Sequence, residues 1–218
     1  MSARAEILGR IRAATDDVPN AERARWEGPR SDAERYSRRH ELSGAELVER
    51  FVERVAGYEA TVLCCAGADE AIAAAVERAL AGGRIVVPHD LPDAWLPDDV
   101  EPLVDEPGAP LDVDTLDRSD GVITASALAV AETGTIVLDC GPGQGRRALT
   151  LVPDLHVCVV PAGAVVGSVP EAIERLGEAA AAGRPITLVS GPSATSDIEL
   201  NRVEGVHGPR RLVVLVAG

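Results

Sequence analysis

Two short loops carry the residue types best suited to chemistry. The first is Ala131-Glu132-Thr133-Gly134-Thr135, in which Glu132 is the only charge between Asp120 and Asp139. A carboxylate enclosed by apolar groups has a raised pKa. Glu132 could then act as a general acid or base, or as a nucleophile forming a mixed anhydride. It would serve equally as a cap for the turn or as the partner of a buried arginine. The second loop is Gly191-Pro192-Ser193-Ala194-Thr195, which follows an apolar run. Ser196 and Glu199 behind it have capping-box spacing, so a helix is expected to start there. A strand, a glycine-led loop and a helix N-terminus together make an anion site, because free N–H groups and the helix dipole face the loop. Gly191 would let a ligand approach the backbone, and Ser193 and Thr195 would offer hydroxyls. Asp197 and Glu199 either serve the ligand or satisfy the dipole from the first turn. The ligand expected at Thr133, Gly134, Gly191, Pro192, Ser193, Thr195, Asp197, Glu199 and His207 is a small carboxylate or phosphate.

Other polar groups are weaker candidates. His207 lies in Gly205-Val206-His207-Gly208-Pro209 and is placed to turn into the same pocket, whereas His156 opens an apolar strand and is expected to pack. Asp139, the glycine-rich run 141–145 and the pair Arg146-Arg147 form a third cluster. It lacks the full dinucleotide-binding spacing and reads as a flap or a plain loop. The four cysteines are Cys64, Cys65, Cys140 and Cys158, with no C-x-x-C among them. No metal site is expected, since neither histidine has a second ligand at metal spacing.

The elements that must hold these loops can be read from hydrophobic pattern. Residues 2–14 suggest an amphipathic helix with Ile7, Leu8 and Ile11 on one side. Residues 15–42 read as an Arg-rich arm whose Trp26 and Tyr36 would anchor onto the domain or onto a second subunit, consistent with a homodimer. The domain proper is expected over 43–218, after a helix-and-arm segment over 1–42. A helix follows Ser43, then a short buried strand 61–65, a helix 69–80 and a strand 84–87, the strand–helix–strand signature of a parallel sheet. Further strands are expected at 100–104, 121–125, 135–138, 156–160, 186–190 and 210–216, with a helix from Ser168 to Ala182.

Composition narrows the function. The chain has 218 residues, which suits one α/β domain. Its net charge is −14, and residues 41–218 hold 12 Arg against 28 acids. Such a surface repels phosphate backbones, so nucleic acid is not an expected partner. All 21 basic residues are Arg. Without lysine there is no Schiff-base chemistry, no lysine-anchored pyridoxal and no Walker A loop. No apolar run reaches membrane-spanning length, and the opening Met-Ser-Ala-Arg-Ala-Glu is polar, so a cytoplasmic protein with free thiols is expected.

Taken in order, several stretches resemble the lactate-utilization protein C family of small LUD-domain proteins. They are Ile123-Thr124-Ala125, Ala131-Glu132-Thr133-Gly134-Thr135, Val157–Pro161, Gly191-Pro192-Ser193, Asp197-Ile198-Glu199 and Gly205-Val206-His207-Gly208-Pro209. The resemblance implies a three-layer α/β/α fold with a mainly parallel sheet, similar to ribose-phosphate isomerases, glucosamine-phosphate isomerases and CoA transferases. It also implies a part in oxidising L-lactate to pyruvate. The chain would act there without a cofactor of its own, beside iron–sulfur partner proteins of a lactate-oxidation operon that carry the clusters. The alternative is an autonomous CoA-transferase-like or sugar-phosphate-isomerase-like enzyme that uses Glu132. Relatives often carry Arg between the Ser and Thr of the second loop, where this chain has Ala194. Anchoring of a carboxylate would then pass to Arg146, Arg147 or Arg202.

Overall fold

The structure, a computed structural model, describes residues 3–15, 42–80, 82–195, 203–204 and 207–218. The chain divides into two units, Met1–Ser37 and Arg38–Gly218. The first contains helix α1, Ala3–Thr15, on which Ile7, Leu8 and Ile11 are exposed. Trp26 and Tyr36 of the expected arm lie outside the described residues.

The second unit opens with α2, Ala45–Ala56, which buries Phe51 and Val55. The Ser43 amide donates to Glu46 Oε2 at 3.4 Å, one half of a capping box, while the N-cap position falls to Gly44. Strand β1 (Thr61–Cys65), helix α3 (Asp69–Ala79) and strand β2 (Gly83–Pro88) follow as the apolar pattern requires. Then come β3 (Val100–Asp105), the short α4 (Val113–Asp117) and β4 (Gly121–Ala125). Strands β5 (Leu128–Val130) and β6 (Thr135–Leu138) enclose the Glu132 turn. After β7 (Leu155–Pro161) and β8 (Val165–Val166), two helices, α5 (Val169–Arg175) and α6 (Gly177–Ala181), replace the single helix expected. The break falls beside Gly177, which has no side chain to hold the turn. The chain continues through β9 (Thr187–Val189), β10 (Ala194–Thr195), β11 (Val203–Glu204) and β12 (Arg211–Ala217).

Six strands form one parallel sheet in the order β1-β12-β7-β4-β2-β3. Strands β12, β7 and β4 occupy its middle and are buried almost throughout, as near-continuous Val, Leu and Ile runs predict for a parallel sheet covered on both faces. Strand β1, expected to be buried, is an edge strand with Cys64 exposed. One face, through Ile85, Ile123, Val157, Val159 and Leu215, packs on Ile72, Ala75 and Val76 of α3. The other, through Cys158, Val160, Val214 and Val216, packs on Phe51 and Val55 of α2 and on Ala129, Ile136 and Leu138. Those last three belong to a second sheet of order β8-β5-β6-β9. Its far side is closed by Ala172 of α5 and by Leu176. The architecture is therefore mixed α/β around a parallel sheet, with a small sheet sharing one outer layer with the helices.

Strand β9 belongs to that small sheet, where it pairs antiparallel with β6. The Gly191 loop therefore leaves a strand of the small sheet and not one of the main sheet. The chain beyond the loop is also not yet helical at 194–195, because Ala194 and Thr195 pair antiparallel with Glu204 and Val203. Ser196, Asp197, Glu199 and Arg202, and with them the expected capping box, lie outside the described residues.

Candidate functional site

The register of β6 and β9 brings the two sequence-predicted loops together. Ile136 faces Val189, so Thr135 and Ser190 follow as the next opposing pair. Their hydroxyls hydrogen-bond at 2.8 Å, and Thr135 Oγ1 also bonds Thr133 Oγ1 at 2.7 Å. A line of three hydroxyls thus joins the Glu132 turn to the start of the Gly191 loop. A second clamp fixes the far side of that loop. The Ser193 amide donates to the Pro209 carbonyl at 2.8 Å, and the His207 amide donates to Ser193 Oγ at 2.9 Å.

Between these clamps lies a cavity of about 220 Å³. Gly191, Pro192, Ser193 and His207, all named from sequence, line it with Ser190 and Gly208. Its inner wall is supplied by Arg147, Thr150, His156 and Leu212. His156 is fully buried and shares a 2.8 Å hydrogen bond with Thr124 Oγ1. Burial, then the positive charge of Arg147, holds its imidazole down at about 4, so it faces the cavity neutral near pH 7. Arg147 is half-buried and donates through Nη1 to the carbonyl and hydroxyl of Thr150, each at 3.0 Å. These bonds aim the guanidinium without neutralising it. The arrangement, one cation beside hydroxyls and a neutral imidazole, suits a small anion that also carries a hydroxyl.

Other predicted residues stand elsewhere. Glu132 is exposed, not enclosed, and is not among the residues that line the cavity; its amide donates to the Gly167 carbonyl at 3.1 Å. Gly134 has φ +62°, and a Cβ there would lie 2.7 Å from Arg54 Cβ, so its glycine serves the packing of the turn on α2. Gly191 has φ +90°, and a Cβ would meet Tyr58 Cβ at 2.5 Å; the close neighbour is Tyr58. Thr195 belongs to β10. Arg146, one of three candidate carboxylate anchors, is occupied by Asp105 through Nε at 3.0 Å and by the Leu111 carbonyl through Nη2 at 2.6 Å. Among the described residues, Arg147 is the candidate anchor that lines the cavity. Sequence pattern offered no signal for Thr150, and for His156 it signalled packing alone.

The third polar cluster is a fixed loop. Buried Asp139 accepts from the Gly141 amide at 3.0 Å and from Gln144 Nε2 at 2.9 Å, and pairs with Arg184 Nη2 at 2.9 Å. No described helix is long and apolar enough to cross a membrane. Cys158 is buried beside Thr124, and burial pushes its thiol up to about 12.

Comparison with known proteins places this geometry. Residues 113–217, which include every residue lining the cavity, match the LUD domain family. A protein of Deinococcus radiodurans named lactate utilization protein C is 47% identical over 178 residues, 81% of this chain and 82% of that one. The protein of the same name from Halalkalibacterium halodurans is 36% identical over 48% of this chain and 46% of its own. The crystal structure of a DUF162 family protein from Deinococcus radiodurans superposes with a TM-score of 0.70 at 41% identity, covering 81% of this chain and 99% of that one. The chain belongs to the lactate utilization protein C family of LUD-domain proteins.

Proposed function

We propose that this chain serves L-lactate utilization as the subunit without iron–sulfur clusters in a complex that oxidises L-lactate to pyruvate. The observation that carries the reading is the 47% identity, over four-fifths of both chains, to a protein named for lactate utilization. The cavity supports it. About 220 Å³ bounded by Arg147, Thr150, Ser190, Ser193 and His207 has the scale and polarity for a small hydroxy acid, with the carboxylate on Arg147. Oxidation of lactate removes two electrons and two protons. The family resemblance implies that the electrons pass to clusters held by iron–sulfur partner proteins, and the lack of C-x-x-C spacing here is consistent with that.

The test is co-expression with iron–sulfur proteins of a lactate-oxidation operon. The chain is expected to co-purify with them and to oxidise no lactate alone. Failure of the chain to associate with them under any lactate-grown condition would defeat the reading. Replacing Arg147 by Met should weaken carboxylate binding to the assembled complex about tenfold or more, because one charge-assisted hydrogen bond is lost.

A second reading, an autonomous transferase-like or isomerase-like enzyme with Glu132 as nucleophile or base, draws on the hydroxyl line that ties its turn to Ser190. Hydroxylamine trapping in the presence of an acyl-CoA would mark Glu132 if it is correct. Screens with acyl-CoAs and sugar phosphates that return nothing would count against it.

A further inference from the structure

A second and larger cavity lies at the carboxyl edge of the main sheet, apart from the small-anion cavity. It measures about 670 Å³, within the range of about 300–1,000 Å³ usual for organic ligands. Its place in the topology is informative. From β2 the chain moves outward to β3 on one side, whereas β4 is followed in the main sheet by β7 on the other. The ends of β2 and β4 therefore flank a switch point, where open parallel sheets bind ligands. The fixed loop 139–147 is inserted there. The Ala125 amide, at the end of β4, donates to the Gly143 carbonyl at 2.8 Å. A Cβ on Gly145 would lie 3.3 Å from Pro88, at the end of β2. Cavity and loop thus occupy one crevice.

Three kinds of group in the lining bear on its ligand. Arg146, Arg147 and Arg184 face it, three of the twelve arginines in residues 41–218 of an acidic chain. Arg146 is held by Asp105 and Arg184 by Asp139, so both guanidiniums are pre-oriented. Arg147 reaches this cavity as well as the smaller one. Pro107, Pro110, Pro142 and Pro185 add rigid, exposed apolar rings. The exposed Asp90 and Glu106 add acceptors after the ends of β2 and β3. Cations for a phosphate, acceptors for hydroxyls and flat apolar surfaces for a ring are the features that recognise a nucleotide.

We propose that this crevice is a nucleotide-binding site, with the phosphate toward Arg147 and Arg184, the sugar hydroxyls toward Asp90 and Glu106, and the base against the prolines. This reading shares Arg147 with the lactate reading and otherwise rests on residues that do not line the smaller cavity. It is tested on the full chain by calorimetric titration with AMP, ADP and FMN, together with alkylation by iodoacetamide read by mass spectrometry. Cys140 is half-buried and lines the crevice, while Cys64 is exposed on β1 and serves as the internal reference. At ten times the measured Kd, alkylation of Cys140 should slow about tenfold and that of Cys64 should not change. The variant Arg184→Gln should raise the Kd about tenfold or more. The double variant Asp139→Asn with Arg184→Gln, which removes the ion pair as a pair, should do the same without leaving a buried charge alone. No heat with any of the three nucleotides would overturn the proposal. So would binding that leaves Cys140 unprotected and is unchanged in the double variant.

Discussion

Burial keeps the His156 imidazole neutral down to about pH 4, and this has a calculable effect on stability. Above the unfolded value of about 6.5 both states carry the neutral ring, so the residue contributes no pH dependence. As pH falls from there the unfolded chain takes up a proton that the folded one refuses, and stability drops until pH passes the folded value. The gap corresponds to about 3 kcal/mol. Urea unfolding followed from pH 7 to pH 4 should therefore show a steeper loss in the wild type than in His156→Gln, which retains a hydrogen-bonding side chain for Thr124. Equal slopes would show that the imidazole takes up its proton in the fold. The same residue shows why part of the cavity was illegible in sequence. Thr124 and His156 are 32 residues apart in sequence and come within hydrogen-bond distance through the pairing of β4 with β7, while Arg147 reaches the same cavity as His156 from a turn between β6 and β7.

At the scale of elements, two glycines make opposite predictions. Gly191 combines φ +90° with a Tyr58 side chain 2.5 Å from any added Cβ, whereas Gly163 has nothing within 4 Å and lies outside the positive-φ region. Gly191→Ala should cost about 1–3 kcal/mol in urea unfolding, and Gly163→Ala should be close to neutral. If Gly191→Ala instead kept full stability and lost only ligand binding, the glycine would be serving the ligand. Strand positions were largely legible because runs such as 121–125, 156–160 and 211–216 are apolar enough to mark strands buried on both faces. Which sheet a strand joins was not. Residues 135–138 and 187–189 have the same apolar character as the central strands, yet they pair with each other, and no local signal separates the two fates. The glycine-rich loop 139–147 was readable as polar and turn-rich. Its rigidity was not, because Asp105 and Arg184, which hold it, are distant in sequence.

The whole molecule carries −14 charges on 218 residues, and repulsion among them opposes the compact state. Ionic strength of about 0.15 M shortens the screening distance to about 8 Å, so added sodium chloride should raise the melting temperature. A melting temperature that falls with salt would mean that ion pairs such as Arg146–Asp105 and Arg184–Asp139 outweigh the repulsion.

The position of β12 sets an order of events during biosynthesis. Strand β1 is made early, yet among the described residues its one partner in the main sheet is β12, which also forms one side of β7. Until the ribosome has delivered Arg211–Ala217, the sheet lacks a strand next to its centre, and both neighbours present open hydrogen-bonding edges. Completion of the fold must therefore wait for residue 217, and the nascent chain will need protection from misassociation until it emerges.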